Sequence, residues 1–459
     1  MPHHHVVMLT ESVTTYFVDQ VNGNDSNSGL STTAAWKTLA KVNSATFKPG
    51  NQILLNRGNT WAETLTLPSS GKAGAPIVFG AYGSGALPLI DGGNVRSQCV
   101  SGNAQSYITL QDLATQNSTG DQWGMYGTFS NVLIQRCTVH AGAAAGITVT
   151  GTNSHISNCV FDHQGLMAIY CHQNATGLWV DHCTISYTGD HGIKVMMSNG
   201  LFEWNEIHHS KLNGYYLEGR PSQGVSANGN IFRFNWCHEN GQVIIDLSNG
   251  GEIYNSGGDY NTFFYNIMGP GGPGISTVGF WLDYGSVGNQ FYNNTIYHMR
   301  GGTQGRGYKL ENGAEGGATQ NNTMMNNIVI DCFQECLEVY DTINSGPYGL
   351  QGNVIDYNLY WRGSTPDSGL IYNGRTTSDM TLAQFQATPG NPDAHSINLD
   401  PLLNNQAAND VTLKAGSPAI GAGASLGSVY EMGRKPGGGV TSQVLAGLGW
   451  EMGAYVYTS

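Results

Sequence analysis

Charged side chains are scarce, at 11% of the 459 residues. A mainly helical protein, rich in Glu, Lys, Leu and Ala, is thereby excluded. Only 19 Lys and Arg stand against 32 Asp and Glu, for a net charge of −13, and no basic tract occurs. Nucleic acid is therefore not an expected partner, and a strongly polyanionic ligand would need a local basic patch. No apolar run is long enough to span a membrane. A leucine-rich consensus is missing, as is helical periodicity, which excludes leucine-rich, TPR and ankyrin repeats. Eight cysteines in a chain of this length do not make a disulfide-stapled scaffold. What is abundant is Gly (64 residues), with Asn, Thr, Ser and Tyr, a composition of short strands and tight turns.

Self-similarity runs through the middle of the chain. Leu133-Ile134-Gln135-Arg136-Cys137 is echoed by His155-Ile156-Ser157-Asn158-Cys159 and Trp179-Val180-Asp181-His182-Cys183. Phe202-Glu203-Trp204-Asn205, Phe232-Arg233-Phe234-Asn235, Phe263-Phe264-Tyr265-Asn266 and Phe291-Tyr292-Asn293-Asn294 follow. Met324-Met325-Asn326-Asn327 and Ile355-Asp356-Tyr357-Asn358 close the series. One column then reads Arg136, Asn158, His182, Asn205, Asn235, Asn266, Asn294, Asn327 and Asn358, with spacings of 22 to 33 residues. Repeats of that length suit a solenoid of short strands. An Asn at a fixed turn can bond the same amide one coil above and below, and it tolerates left-handed backbone. Cys137, Cys159 and Cys183 recur as a buried stack of thiols, and Cys332 and Cys336 are close enough in sequence to pair.

These repeats resemble the Asn-ladder right-handed parallel β-helix of the pectin-lyase-like carbohydrate-active enzymes. Tyr16-Phe17-Val18-Asp19, Gly23-Asn24-Asp25-Ser26-Asn27-Ser28-Gly29 and Trp36-Lys37-Thr38-Leu39 resemble the opening of such secreted enzymes. Asp400-Pro401-Leu402, Ser417-Pro418-Ala419-Ile420-Gly421-Ala422-Gly423 and Met452-Gly453-Ala454-Tyr455 resemble their closing coil. The resemblance implies an all-β single domain over 16–459, with a cap and first coils at 16–85, central coils at 86–364, and last coils and a closing segment at 365–459. Residues 1–15, starting Met1-Pro2-His3-His4-His5, look like a tag, and secretion with a removed signal peptide is expected.

A second pattern carries the chemistry. Glu218, Asp246, Asp283 and Glu311 end the frames Tyr215–Glu218, Val243–Asp246, Phe280–Asp283 and Tyr308–Glu311, in each of which the first and third residues are apolar or aromatic. By the resemblance these frames are the first strands of successive coils. Strand alternation then gives one outward column of Thr150, His172, Met196, Glu218, Asp246, Asp283, Glu311 and Tyr340. Its neighbour holds Thr148, Tyr170, Lys194, Tyr216, Ile244, Trp281, Lys309 and Glu338. With coils about 4.8 Å apart, the four carboxylates form a line roughly 14 Å long. The loops Gly219–Gly229, Leu247–Tyr260, Gly269–Val278 and Asn312–Gln320 are expected as walls beside it.

Stacked like charges repel, so a column kept for stability alone would be avoided. Glycoside hydrolysis needs two carboxyls flanking the bond, and Asp246 and Asp283 are the expected pair, with Glu218 and Glu311 as auxiliaries. Trp281, Tyr216, Tyr170 and His172 are expected to touch sugar, along with Lys194, Lys309 and Arg220. A polysaccharide lyase or C5-epimerase would instead hold Ca²⁺ on Glu218, Asp246 and Asp283 and use Lys194, Lys309 or Arg220 as base. The hydrolase needs no cofactor. A non-catalytic glycan-binding solenoid is the third alternative. Low basicity and the aromatic neighbours favour hydrolysis of a polysaccharide or oligosaccharide, without nucleic acid or membrane partners. Two lesser motifs stand apart. His163, His172, His182 and His191 suggest a metal site, although His182 in the Asn column is better read as a ladder substitute. Asn24-Asp25-Ser26-Asn27 suits an Asx-rich turn better than a Ca²⁺ loop.

Overall fold

Each coil of this computed structural model contributes one short strand to each of three parallel sheets. The structure describes residues 13–458 except 103, 126–128, 244–249, 275–276, 301–303, 313–316, 342–351, 364–369, 374–377 and 445–448. One coil runs Ile193–Val195, Leu201–Glu203 and Glu206–His208 before the next begins at Asn213–Glu218. Every strand pairs in parallel with its counterpart one coil away, giving a right-handed parallel β-helix. Among the described residues the sheets have 13, 13 and 12 strands, of which only Ser378–Met380 joins antiparallel. The sheets are called here the site sheet, the ladder sheet and the third sheet, in the order the chain visits them.

The interior is filled by columns. Phe202, Phe232, Phe263 and Phe291 stack almost flat, at centroid separations of 4.7, 4.8 and 5.1 Å. Beside them runs the asparagine ladder. The backbone N–H of Asn205 donates to Asn235 Oδ1, Asn235 to Asn266, Asn266 to Asn294, Asn294 to Asn327 and Asn327 to Asn358. Each side-chain amide also donates to a carbonyl of the coil before it, as Asn235 Nδ2 does to Phe202 O. Tyr215 and Tyr308, on the site sheet, reach across the core to donate to Asn235 and Asn327.

The expected ladder register needs correction in its first three coils. Asp181 pairs with Glu203, so Cys183, not His182, aligns with Asn205. Cys183 N–H donates to Asn205 Oδ1, and the thiols of Cys137, Cys159 and Cys183 point to carbonyls one coil back, where the amides point in later coils. Arg136, Asn158 and His182 occupy the adjacent left-handed position, at φ 54°, 53° and 52°. Their side chains turn outward: Arg136 bonds Asp112 at 3.0 and 2.8 Å, and His182 bonds Asp181 at 2.6 Å. A small thiol or amide fits the inward corner, whereas imidazole and guanidinium do not. All eight cysteines are buried and unpaired, Cys332 and Cys336 included.

A second ladder stands at the turn between site and ladder sheets. Asn230, Asn261, Asn289, Asn322 and Asn353 accept in series, each from the N–H of the residue one coil back. Residues from 400 onward add no coil among the described residues. They lie along the ladder-side turn, where Arg434 packs on Trp204, Asn293 Nδ2 donates to Glu451 O and Asn326 Nδ2 donates to Ala424 O. That strap covers the aromatic side chains Phe234, Phe264, Tyr265 and Tyr292. At the other end, Asn24 and Asp25 close their turn by accepting from Ser26, Lys37 and Thr38.

Replacing Asn266 by Ala takes the acceptor from Asn235 N–H and one of the two acceptors of Asn235 Nδ2, and removes the amide donor to Phe232 O. Each buried unpaired group costs about 1–3 kcal/mol. Urea unfolding is expected to show a loss of about 3 kcal/mol or more, against less than about 0.5 kcal/mol for the exposed Asn404→Ala. Equal effects would remove the ladder from its stabilising role.

Candidate active site

Site-sheet pairing runs Lys194–Tyr216–Tyr254–Trp281–Lys309–Glu338 along one outward column. The next column holds Glu218, Ser256, Asp283 and Glu311. Glu218, Asp283 and Glu311 thus stand where expected, as do Lys194, Tyr216, Trp281 and Lys309. Asp246 does not. Ser256 occupies the position expected of it, Tyr254 that of Ile244, and Asp246 itself lies outside the described residues.

The reason lies in the following turn. Gly250–Ser256 is the paired strand, with Ile253 and Asn255 buried inward. Gly257 and Gly258 then turn the chain within van der Waals reach of the coil before. A Cβ on Gly257 would sit 2.2 Å from Gly219 O, and Gly257 has φ +76°. Asn255 Nδ2 closes the turn on Gly258 O and reaches Asn289 of the second ladder. The inserted loop therefore precedes this strand instead of following it. The inserted stretches after Glu218 and before Thr277 stand on the expected sides of their strands.

Cations pair with most of the acids. Lys194 Nζ lies 2.6 Å from Glu218 and Arg220 Nε 2.7 Å from it, while Lys309 Nζ lies 2.6 Å from Glu311. Arg306, which no sequence signal singled out, pairs with Glu335 and Glu338. Asp283 alone of the column's carboxylates has no ion pair among the described residues. It is 5% exposed and accepts from Tyr284 N–H and, at 3.4 Å, from Tyr254 Oη. Burial first, and the Glu311 charge beside it, push its carboxyl up to about 6 despite the Tyr284 hydrogen bond and Lys309. Burial and the Asp283 charge push the Tyr254 phenol up, so it remains a donor.

The aromatic column forms a stack along the helix axis. Tyr216 lies 4.4 Å from His191 and 5.3 Å from Tyr254, Tyr254 lies 4.5 Å from Trp281, and Lys309 Nζ sits 4.2 Å over Trp281. Trp281 and Tyr216 were expected to offer ring faces to sugar. Their faces are instead turned on Tyr254 between them and on His191 and Lys309. Burial, then the nearby Lys194, pushes His191 down to about 3, so it is neutral. Tyr170 donates to Met196 Sδ at 3.2 Å and packs edge-on to His172 at 5.7 Å, both at the upstream end of this face. His163, His172, His182 and His191 are not brought together. His172 follows a site-sheet strand, His182 the ladder-sheet strand Trp179–Asp181, and His163 the third-sheet strand Val160–Asp162.

A cavity of about 270 Å³ opens beside the column, lined by Gly219–Gln223, Gly257, Asp259, Tyr284 and Gly285. Its walls directly follow Glu218, Ser256 and Asp283 in sequence. Tyr254, Ser256, Asp259 and Tyr284 were missed. The signal that could have found them is the Gly257-Gly258 pair, which fixes where the strand must end.

The right handed beta helix region family matches residues 124–296. A lacto-N-biosidase from Bifidobacterium longum subsp. longum is 40% identical over 78 residues, 16% of this chain and 5% of that protein. The structure is similar to the GH136 lacto-N-biosidase of Eubacterium ramulus (TM-score 0.51, 15% identity, 80% of this chain and 66% of that one). It is also similar to XylC in complex with xylose (TM-score 0.58, 13% identity, 85% and 87%). Pectate lyase Pel9A superposes over 97% of both chains at TM-score 0.52 and 18% identity. The chain thus spans just under two thirds of the Eubacterium enzyme and a small part of the Bifidobacterium one. At these identities the structural likenesses establish the fold, a right-handed parallel β-helix.

Because Asp283 holds its proton more tightly when folded, the folded state binds more protons between the ordinary carboxylate value, 3.8, and about 6. Stability from this group therefore falls as pH rises through that window. The Asp283→Asn chain is expected to gain on the unchanged protein by up to about 3 kcal/mol between pH 4 and pH 7. Urea midpoints at the two pH values measure it, and parallel changes would place Asp283 at an ordinary pKa.

Proposed function

We propose that this chain is a secreted carbohydrate-active enzyme, a glycoside hydrolase acting on an uncharged polysaccharide or oligosaccharide. Asp283 is its general acid and Glu218 its general base. The carrying observation is the contrast between the two carboxylates. Asp283 is desolvated, unpaired and shifted upward, as an acid requires. Glu218 sits against two cations two coils away, with the small Ser256 between. Two coil steps separate the strand positions by about 10 Å, near the wide spacing that leaves room for a water. That spacing predicts inversion at the anomeric carbon. The cavity is lined by the residues that directly follow these two, and Glu311, whose charge raises Asp283, is read as an auxiliary. The local similarity to a lacto-N-biosidase agrees in reaction class.

Elimination or epimerisation at a uronate is disfavoured by the same geometry. Lys194, Lys309 and Arg220 are each held in an ion pair with a carboxylate, so none is free to reach a sugar carbon's proton. A Ca²⁺ site on Glu218, Asp246 and Asp283 does not fit either. Ser256 stands in the middle position, and Glu218 already faces two cations. The cleft offers no unpaired cation to a uronate among its described residues.

Digestion of a glycan panel, read by mass spectrometry and NMR, is expected to give products that gain water and appear with inverted anomeric configuration. Asp283→Asn and Glu218→Gln should each lower kcat by at least about 100-fold, and activity should decline as pH rises above about 6. Chelator should leave turnover intact. Unsaturated products, or full activity in either variant, would overturn the assignment; no product from any glycan would favour a binding role.

A further inference from the structure

A second constellation lies on the third sheet, away from the carboxylate column. The strands Thr138–His140 and Val160–Asp162 pair so that His140 stands directly over Asp162 in the next coil. His163 follows in the left-handed turn position, at φ 53°. The two oxygens of Asp162 face different imidazoles: Oδ2 lies 3.1 Å from His140 Nδ1, and Oδ1 lies 2.6 Å from His163 Nδ1. Ser186 Oγ donates to Oδ1 at 3.1 Å and steadies the carboxylate from the following coil. Nothing in the proposed hydrolysis uses these residues. Among the described residues, the only ion-pair partners of Asp162 are the two histidines.

We propose that His140, Asp162 and His163 bind a borderline divalent transition ion, Zn²⁺ or Ni²⁺, which ties two successive coils together. Two imidazole nitrogens and one carboxylate oxygen are the donor set such ions take, and one that Ca²⁺ and Mg²⁺ do not. One donor atom from each residue lies within 4.8 Å of the other two. A tetrahedral ion with bonds of about 2.0–2.1 Å needs donors about 3.3 Å apart. The two separations from Asp162, 3.1 and 2.6 Å, reach that value by sub-ångström shifts, and the half-exposed rings have room to bring their nitrogens, within 4.8 Å of each other, to the same distance. The rings are already oriented: His163 stacks on Tyr187 at 4.9 Å, and His140 meets His163 edge-on at 5.8 Å. Solvent supplies the fourth ligand. His155, Asp181 and His182 look similar on the ladder sheet, but their donors do not converge on one point in the same way.

The 459-residue protein, stripped with chelator and dialysed, is titrated with ZnCl₂ by calorimetry and followed by thermal melting. The expected result is one site whose occupancy raises Tm. In His140→Ala/His163→Ala and in Asp162→Asn, the affinity should fall by more than about 100-fold, since losing even an outer-shell partner costs roughly 10–100-fold. Every variant keeps His3, His4 and His5, so the double variant also reports any background from them. Asp162→Asn retains the shape of the carboxylate and guards against a folding defect, checked by its Tm in chelator. His182→Ala should bind as the unchanged protein does. Binding that survives at unchanged affinity in the double variant, binding lost in His182→Ala, or no Zn²⁺ binding at all would overturn the proposal.

Discussion

Everything in this molecule depends on one constraint: each coil must lie in register on the one before it. A solenoid buries its inner surface only if every coil presents the same groups at the same height. Backbone pairing alone does not enforce this, because parallel strands slip by two residues without changing face. The amides do. An asparagine that accepts the N–H of the residue one coil back, and donates to that coil's carbonyl, is satisfied at one register only. Two such ladders bracket the ladder sheet, and the buried tyrosines of the site sheet hook onto one of them. The register of the site sheet is therefore set partly from the far side of the core.

That dependence explains the shape of the site. Ser256 enters the carboxylate column because Asn255, one residue earlier, belongs inward against the second ladder. The glycine pair after it closes a turn that no side chain could share with Gly219 O. Position in the column is thus decided by the turn and the ladder, and the outward residue follows. The small hydroxyl between Glu218 and Asp283 is a consequence of how the coil closes.

The repeat and most of the outward column were legible in the sequence because a period of two on a strand and a recurrent Asn leave a readable trace. Three features were not. Val243–Asp246 has apolar residues at its first and third positions and an acid at its fourth, whereas Ile253–Ser256 turns the polar Asn255 inward, so the apolar pattern favours the wrong frame and only the turn corrects it. The first ladder was misread by one residue in its early coils, because Cys137, Cys159 and Cys183 do there, more weakly, what asparagine does later. The second ladder was legible and overlooked: Asn230, Asn261, Asn289, Asn322 and Asn353 each precede a ladder asparagine by five residues. The pairing of charges was beyond the sequence altogether, since Lys194 meets Glu218 across coils 24 residues apart.

Those pairings carry the functional argument further than the column itself. A line of acids at coil spacing is costly unless compensated. Lys194 and Arg220 offset Glu218, Lys309 offsets Glu311, and Arg306 offsets Glu335 and Glu338. Had the fold merely tolerated the acids, Asp283 would have its cation too. Instead it is the most enclosed acid of the column, hydrogen-bonded by a phenol that keeps its proton, beside a carboxylate that disfavours its charge. Burial and the neighbouring carboxylate push one way and outweigh the Tyr284 and Tyr254 hydrogen bonds and Lys309, and they act on the residue just before the cavity-lining Tyr284. Evenly compensated charge around one proton-holding carboxyl suits a neutral substrate whose leaving oxygen must be protonated. It does not suit a polyanion, which would have to displace a paired acid to reach each lysine.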